Sequence, residues 1–381
     1  MKFLLAGATL VFLWPAVAFA GTPEFVQAVR LFFVLQDASA NGESRASAMQ
    51  GEWAARAIEA AGDIQSPDAA TIQAAAGFIL AGGPADLGDA LLRRADLPVD
   101  DIALLKAIVA FKNRQEGEAA KAFAGIDPFS YPPSLGGRIA LSRALVLPDA
   151  DVTEKLSFYD TAIQLMPGTL VEDSSLRRAA LTCAALPDQD CFFTYVSRYF
   201  RRFARSPFID AFLSALGDSL IKREVARKPL DMERLDWLLT KLPAGTRREF
   251  FLELARNATA AGLAALAAFS ASRAGRLAVP GSIEAVRAEL YANVPGVSGP
   301  DYEVAQAQLT ALDAARLTED DRSLLDAALQ VSAFIHAPAS GREAPANIPA
   351  EHLALVARGR TLIAAADALL NGEHHVQPQG R

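Results

Sequence analysis

The side chains in this sequence that could do chemistry are few and scattered. Its four histidines are His336, His352, His374 and His375. The last two are adjacent near the C-terminus and could hold an adventitious ion, but a flexible terminus is the plainer reading. The two cysteines, Cys183 and Cys191, have seven residues between them, not the two of a C-x-x-C pair, and no histidine lies nearby to complete a metal set. Between them Leu186-Pro187-Asp188-Gln189-Asp190 reads as a helix stop followed by a fresh N-cap. Residues bracketing such a turn can come within disulfide range, and two free buried thiols are the other reading. Adjacent carboxylates, Asp100-Asp101 and Asp320-Asp321, fall at helix starts, where the backbone dipole favours negative charge and capping accounts for them. No phosphate-binding glycine loop, H-E-x-x-H, G-x-S-x-G or calcium-binding loop occurs. No catalytic residue, cofactor or metal site is therefore assigned, and the chain reads as a non-enzyme.

The sharpest local feature is the run from Phe192 to Phe208. Arg198, Arg201, Arg202 and Arg205 recur three and four apart, which predicts one side of a helix, with Tyr195, Tyr199 and Phe203 on a neighbouring stripe. Tyrosine and arginine are the residues that anchor protein interfaces, so one reading is a basic, aromatic-edged contact surface. The other is an amphipathic helix whose aromatics are core and whose arginines are solvated or paired with carboxylates. A net charge of −7 disfavours nucleic acid as the partner.

The elements that must position these residues follow from composition. Of 381 residues, 77 are alanine and 48 leucine, both strong helix formers. Helix starts recur every 15 to 25 residues or so: Ser66-Pro67-Asp68, Asp151 with Glu154, Thr169 with Glu172, Thr246 with Glu249, Ser206-Pro207, Ser282 with Glu284, and Thr318 before acidic residues. Stops at Gly82-Gly83-Pro84, Pro167-Gly168, Pro187 and Pro243-Ala244-Gly245 alternate with them. Leu156, Tyr159, Ile163 and Met166 share one helical face, and Leu176, Ala180, Cys183 and Ala184 share the next. Such a hairpin cannot bury its apolar face alone and must stack on neighbours. The fold expected is all-α, an irregular α-solenoid of antiparallel helical hairpins, tetratricopeptide-like, with on the order of 15 to 18 helices.

Residues 1–20 combine Lys2, an apolar stretch and Ala18-Phe19-Ala20, the pattern of a cleavable secretory signal, which predicts an exported, periplasmic protein. Next come an N-terminal helical block (21–124), a Gly/Pro-rich break (125–137) and a central helical-repeat block (138–336). A Pro-rich linker (337–350), a last helix (351–370) and a disordered tail (371–381) complete the organisation.

A family resemblance rests on the central block. Phe158-Tyr159-Asp160, Pro167-Gly168-Thr169 with Val171-Glu172, Leu176-Arg177-Arg178, Arg198-Tyr199, Arg201-Arg202-Phe203 and Ser206-Pro207-Phe208 resemble the corresponding run of the alphaproteobacterial chemotaxis protein MotC family. The likeness continues more weakly through Arg247-Arg248-Glu249 and Leu254-Ala255-Arg256, and the leader also agrees. Cys183 and Cys191 lie outside the pattern. The resemblance implies a periplasmic protein of the flagellar motor that associates with the periplasmic part of the stator protein MotB and supports rotation. Two other readings share the composition: a generic envelope scaffold serving assembly or export, and a lytic transglycosylase-like helical protein. The latter would need a Glu-Ser dipeptide followed by a Gly-Leu-Met-Gln type string, and that combination is absent.

Overall fold

The computed structural model describes residues 23–94 and 97–336. The expected leader (1–20), linker (337–350), last helix (351–370) and tail (371–381), with His352, His374 and His375, lie outside the described residues. Within them the chain is helical throughout and has no strand.

The helices are α1 (Glu24–Ala40), α2 (Ser44–Ala61), α3 (Ala69–Leu80), α4 (Ala85–Leu92), α5 (Val99–Lys112), α6 (Glu116–Ala124), α7 (Pro133–Val146), α8 (Val152–Leu165) and α9 (Leu170–Ala184). There follow α10 (Gln189–Arg202), α11 (Ile209–Val225), α12 (Met232–Leu239), α13 (Ala244–Ala260), α14 (Ala264–Leu277), α15 (Ile283–Asn293), α16 (Tyr302–Thr310) and α17 (Glu319–His336). Short turns join them, so consecutive helices pack as hairpins: α1 on α2, α7 on α8, α9 on α10, α13 on α14. Each hairpin leans on the next through further contacts, such as α8 with α9, α11 with both α9 and α13, and α14 with α15. This is the helical-repeat solenoid that the periodicity predicts. No helix among the described residues is long and apolar enough to cross a membrane.

Local chemistry explains the boundaries. Thr169 accepts from the amides of Val171 and Glu172, while Asp188, Asp231 and Ser282 each cap their helices through a side-chain oxygen. Three expected starts fall elsewhere, one of them Ser206-Pro207, since α11 begins at Ile209 after Phe208, and Asp151 precedes α8 without a side-chain cap bond. Asp68, not Ser66, accepts from the Thr71 amide and starts α3, because Ser66-Pro67 is spent in the preceding turn. Thr246 lies inside α13, which begins after Pro243, the rigid residue that already sets the entry angle.

The residues expected as a Gly/Pro-rich break, 125–137, hold regular local structure. Pro128–Ser130 is one 3-10 turn, and α7 begins at Pro133 and packs on α3, α6, α8 and α9. Gly136 and Gly137 serve close packing there. A Cβ on Gly136 would lie 2.2 Å from the Pro128 carbonyl oxygen, and one on Gly137 would lie 2.5 Å from Met166 Cγ. One apolar cluster runs from Ala144 in α7 to Ala328 in α17, and separate clusters, from Phe25 to Leu105 and from Ala76 to Ile139, fill the part before it.

Candidate functional site

Helix α10 carries most of the arginine and aromatic run. Asp188 caps it, and Phe192, Phe193, Tyr195, Val196, Tyr199 and Phe200 form its buried face. The helix ends at Arg202, so Arg205 sits in the turn that follows and does not extend the helical row. Tyr195 and Tyr199 are not part of an exposed surface either. Tyr199 is fully buried, its ring centroid 4.6 Å from that of Phe212, and Tyr195 is 6% exposed, its hydroxyl donating to Asp160 Oδ2 at 3.0 Å. Their stripe meets α9 and α11, where aromatic area is worth most when removed from water. Burial first, then the carboxylate of Asp160 or Asp173, pushes both phenols well above their ordinary range, so neither ionises at physiological pH.

The four arginines divide. Arg198 faces Asp160 at 3.9 Å. Arg202 Nε lies 3.3 Å from Oε2 of the buried Glu172, and the same oxygen accepts the Gly168 amide at 2.5 Å. Arg202 thereby supplies the charge that lets a carboxylate be buried at the start of α9. Arg201 and Arg205 are exposed and form no ion pair among the described residues. The cationic surface is therefore narrower than the spacing suggests: Arg201 and Arg205, edged by Arg198.

Beneath it the motif residues converge on one another. Asp173 is fully buried, and Arg177 grips its Oδ2 with Nε at 2.9 Å and with a terminal nitrogen at 2.6 Å. Arg177 also lies over the Phe208 ring, 4.9 Å from its centroid. Burial raises the Asp173 carboxyl despite Arg177, and burial lowers the neighbouring Arg178. The residues that carry the family pattern thus hold α9, α10 and the entry to α11 together.

A part of this site that sequence reasoning missed comes from the N-terminal hairpin. Asp37 accepts the Leu170 amide at 3.0 Å, adding a carboxylate to the positive end of α9. Asn41 Nδ2 donates to the Gly168 carbonyl at 2.9 Å. Gly42, at φ +94°, abuts the Arg205 backbone, where a Cβ would come within 2.9 Å. Behind them Arg138 is buried, donates to Ser134 O at 3.1 Å, and lies over the Phe33 ring at 3.9 Å. Burial brings its pKa down to about 10, opposed by Asp37. An arginine inside Gly136-Gly137-Arg138-Ile139-Ala140 was the available signal, since a charge in a run of small apolar residues asks for a buried partner.

Cys183 and Cys191 close the other end of the α9–α10 hairpin, with sulfurs in bonding contact and Cα atoms 5.6 Å apart. A groove of about 700 Å³ between α1, α3 and the start of α7 is lined mostly by apolar side chains such as Val26, Phe33, Val34 and Leu135. Its lining contains no carboxylate, histidine or cysteine.

Among curated proteins, the chain is similar to a protein named chemotaxis protein MotC from Rhizobium meliloti (strain 1021), 32% identical over 227 residues. That alignment covers 58% of this chain and 51% of the relative, so the chain spans about half the length of the curated relative it matches. No solved structure matches. The family model described as chemotaxis protein MotC matches residues 1–376, which takes in the N-terminal hairpin as well as the α9–α11 motifs it is docked against. On that match over nearly its whole length, the chain belongs to the chemotaxis protein MotC family.

Proposed function

We propose that this protein is a non-enzymatic periplasmic component of the flagellar motor that binds the periplasmic part of MotB and supports rotation. The observation that carries the reading is the family match over residues 1–376. Residues 1–20 support the compartment, because a short basic start, an apolar stretch and small residues at 18 and 20 suit export and cleavage. The chemistry of the site suits a binding role: its titratable groups are consumed in holding helices together, and Arg201 and Arg205 are left facing outward. Two exposed cations favour an acidic patch on the partner and act mainly on the rate and specificity of encounter.

The test is a pull-down with the MotB periplasmic domain, comparing wild type with Arg201→Glu/Arg205→Glu. Neither residue pairs with a described carboxylate, so the variant should fold. Binding reduced about tenfold or more, and more strongly at low salt, is the expected result. Undiminished binding by the folded variant removes this face from the contact, and failure of the wild type to bind overturns MotB as the partner.

A further inference from the structure

Helix α17 has a buried face and, beside it, an apolar stripe that is exposed over its C-terminal part. Asp321, Leu325, Ala328 and Ser332, spaced four, three and four apart, are buried. That side is tied down: Asp321 receives Arg287 Nε at 2.9 Å, the Tyr291 hydroxyl and, at 2.9 Å, the Thr318 hydroxyl. Leu324, Ala327, Val331 and Phe334, spaced three, four and three apart, form a second stripe about a quarter turn round the helix. Leu324 packs partly against the core, but the C-terminal part of the stripe faces outward, with Phe334 76% exposed, Val331 46% and the flanking Ile335 50%. A helix inside a stacked array is covered on both sides, and an array that simply ends needs a polar outer face. The exposed surface of α17 carries Ser323, Asp326 and Gln330 on one side, but it is apolar at Val331, Phe334 and Ile335.

The chain that follows α17 directly has the pattern to cover it. In residues 351–370, Leu355, Leu362, Ile363, Leu369 and Leu370 fall on one helical face, with Gly359 and Ala366 along its centre. Small central residues flanked by branched aliphatics allow a close helix crossing. Twenty residues make a helix of about 30 Å and the 18 of α17 about 27 Å, so the lengths match. The intervening residues 337–350 can span up to about 45 Å, more than enough to return alongside α17.

We propose that residues 351–370 dock as a helix on the outer stripe of α17 and close the C-terminal end of the solenoid. The committed occupant is this chain's own segment, in cis. The test is hydrogen exchange read by mass spectrometry on the purified protein and on Val331→Asp/Phe334→Asp, with sedimentation over a range of concentrations. Both substituted residues are exposed, so the rest of the fold should keep its wild-type exchange. The expected result is protection of 351–370 by about tenfold or more in the wild type, independent of concentration and lost in the variant. Exchange of 351–370 at the rate of an unstructured peptide, or protection that the variant leaves unchanged, overturns the proposal. Protection that appears only as the protein dimerises assigns the stripe to a second copy and overturns it equally.

Discussion

At the scale of single residues, the interior of this protein is organised by charges that are buried with their partners. Arg177 is the clearest case, because Asp173 has no exposure and its charge is met at close range by this one guanidinium. Arg177→Ala is expected to destabilise the fold by about 3 to 5 kcal/mol, read as a shift in the denaturant midpoint. Asp68 gives the opposite electrostatic case. It is an exposed helix cap whose carboxyl is held below its ordinary range by hydrogen bonds from Thr71. A lowered folded-state pKa means that the stability it supplies is present above about pH 4 and is lost as pH falls through the depressed value. Asp68→Ala should therefore cost about 1 kcal/mol at pH 7, and the gap from wild type should shrink in acid. An equal gap at pH 7 and pH 2.5 would contradict the ionic part of this cap.

At the scale of elements, the most informative junction is the docking of the α1–α2 turn on the start of α9. Asp37, Asn41 and Gly42 reach residues more than a hundred positions away in sequence. Asp37→Ala would leave Arg138 buried without its opposing charge and the α9 amide without its acceptor. Faster exchange in both α1 and the first turn of α9 is expected, with a loss of about 3 kcal/mol or more. At the opposite end of the same hairpin, reduction of the Cys183–Cys191 bridge should cost about 2.5 kcal/mol, since it closes a short loop. A thermal melt with and without reductant measures it. In α7, Gly136→Ala should destabilise by about 1 to 3 kcal/mol, because the new Cβ meets backbone that cannot move aside.

These elements also mark where sequence reading succeeds. The 3.6-residue period and the Thr169, Asp188 and Ser282 caps are local signals, so the helices and their hairpin order are legible. The Tyr195 and Tyr199 stripe is legible as a face, and of the two readings the sequence leaves open for it, contact surface or core, the structure takes the core. Arg205 falls outside the helical row because α10 ends at Arg202, with no glycine or proline directly after it to announce the stop. The run around Arg138 signals a buried charge, but its partners and those of Asp37 could not be read, because residues a hundred positions apart leave no periodic trace.

At the scale of the whole molecule, a continuous helical stack carries its family motifs as internal bracing and turns a narrow cationic edge outward. Membership of a motility family is the ground for the motor role proposed above. The most direct test of that role is swimming in soft agar by a strain lacking this chain, complemented with the full sequence or with one deprived of residues 1–20. Flagellated but non-swimming cells, rescued by the full sequence and not by the leaderless one, are the result this account predicts. Normal swimming by the deletion strain would contradict it.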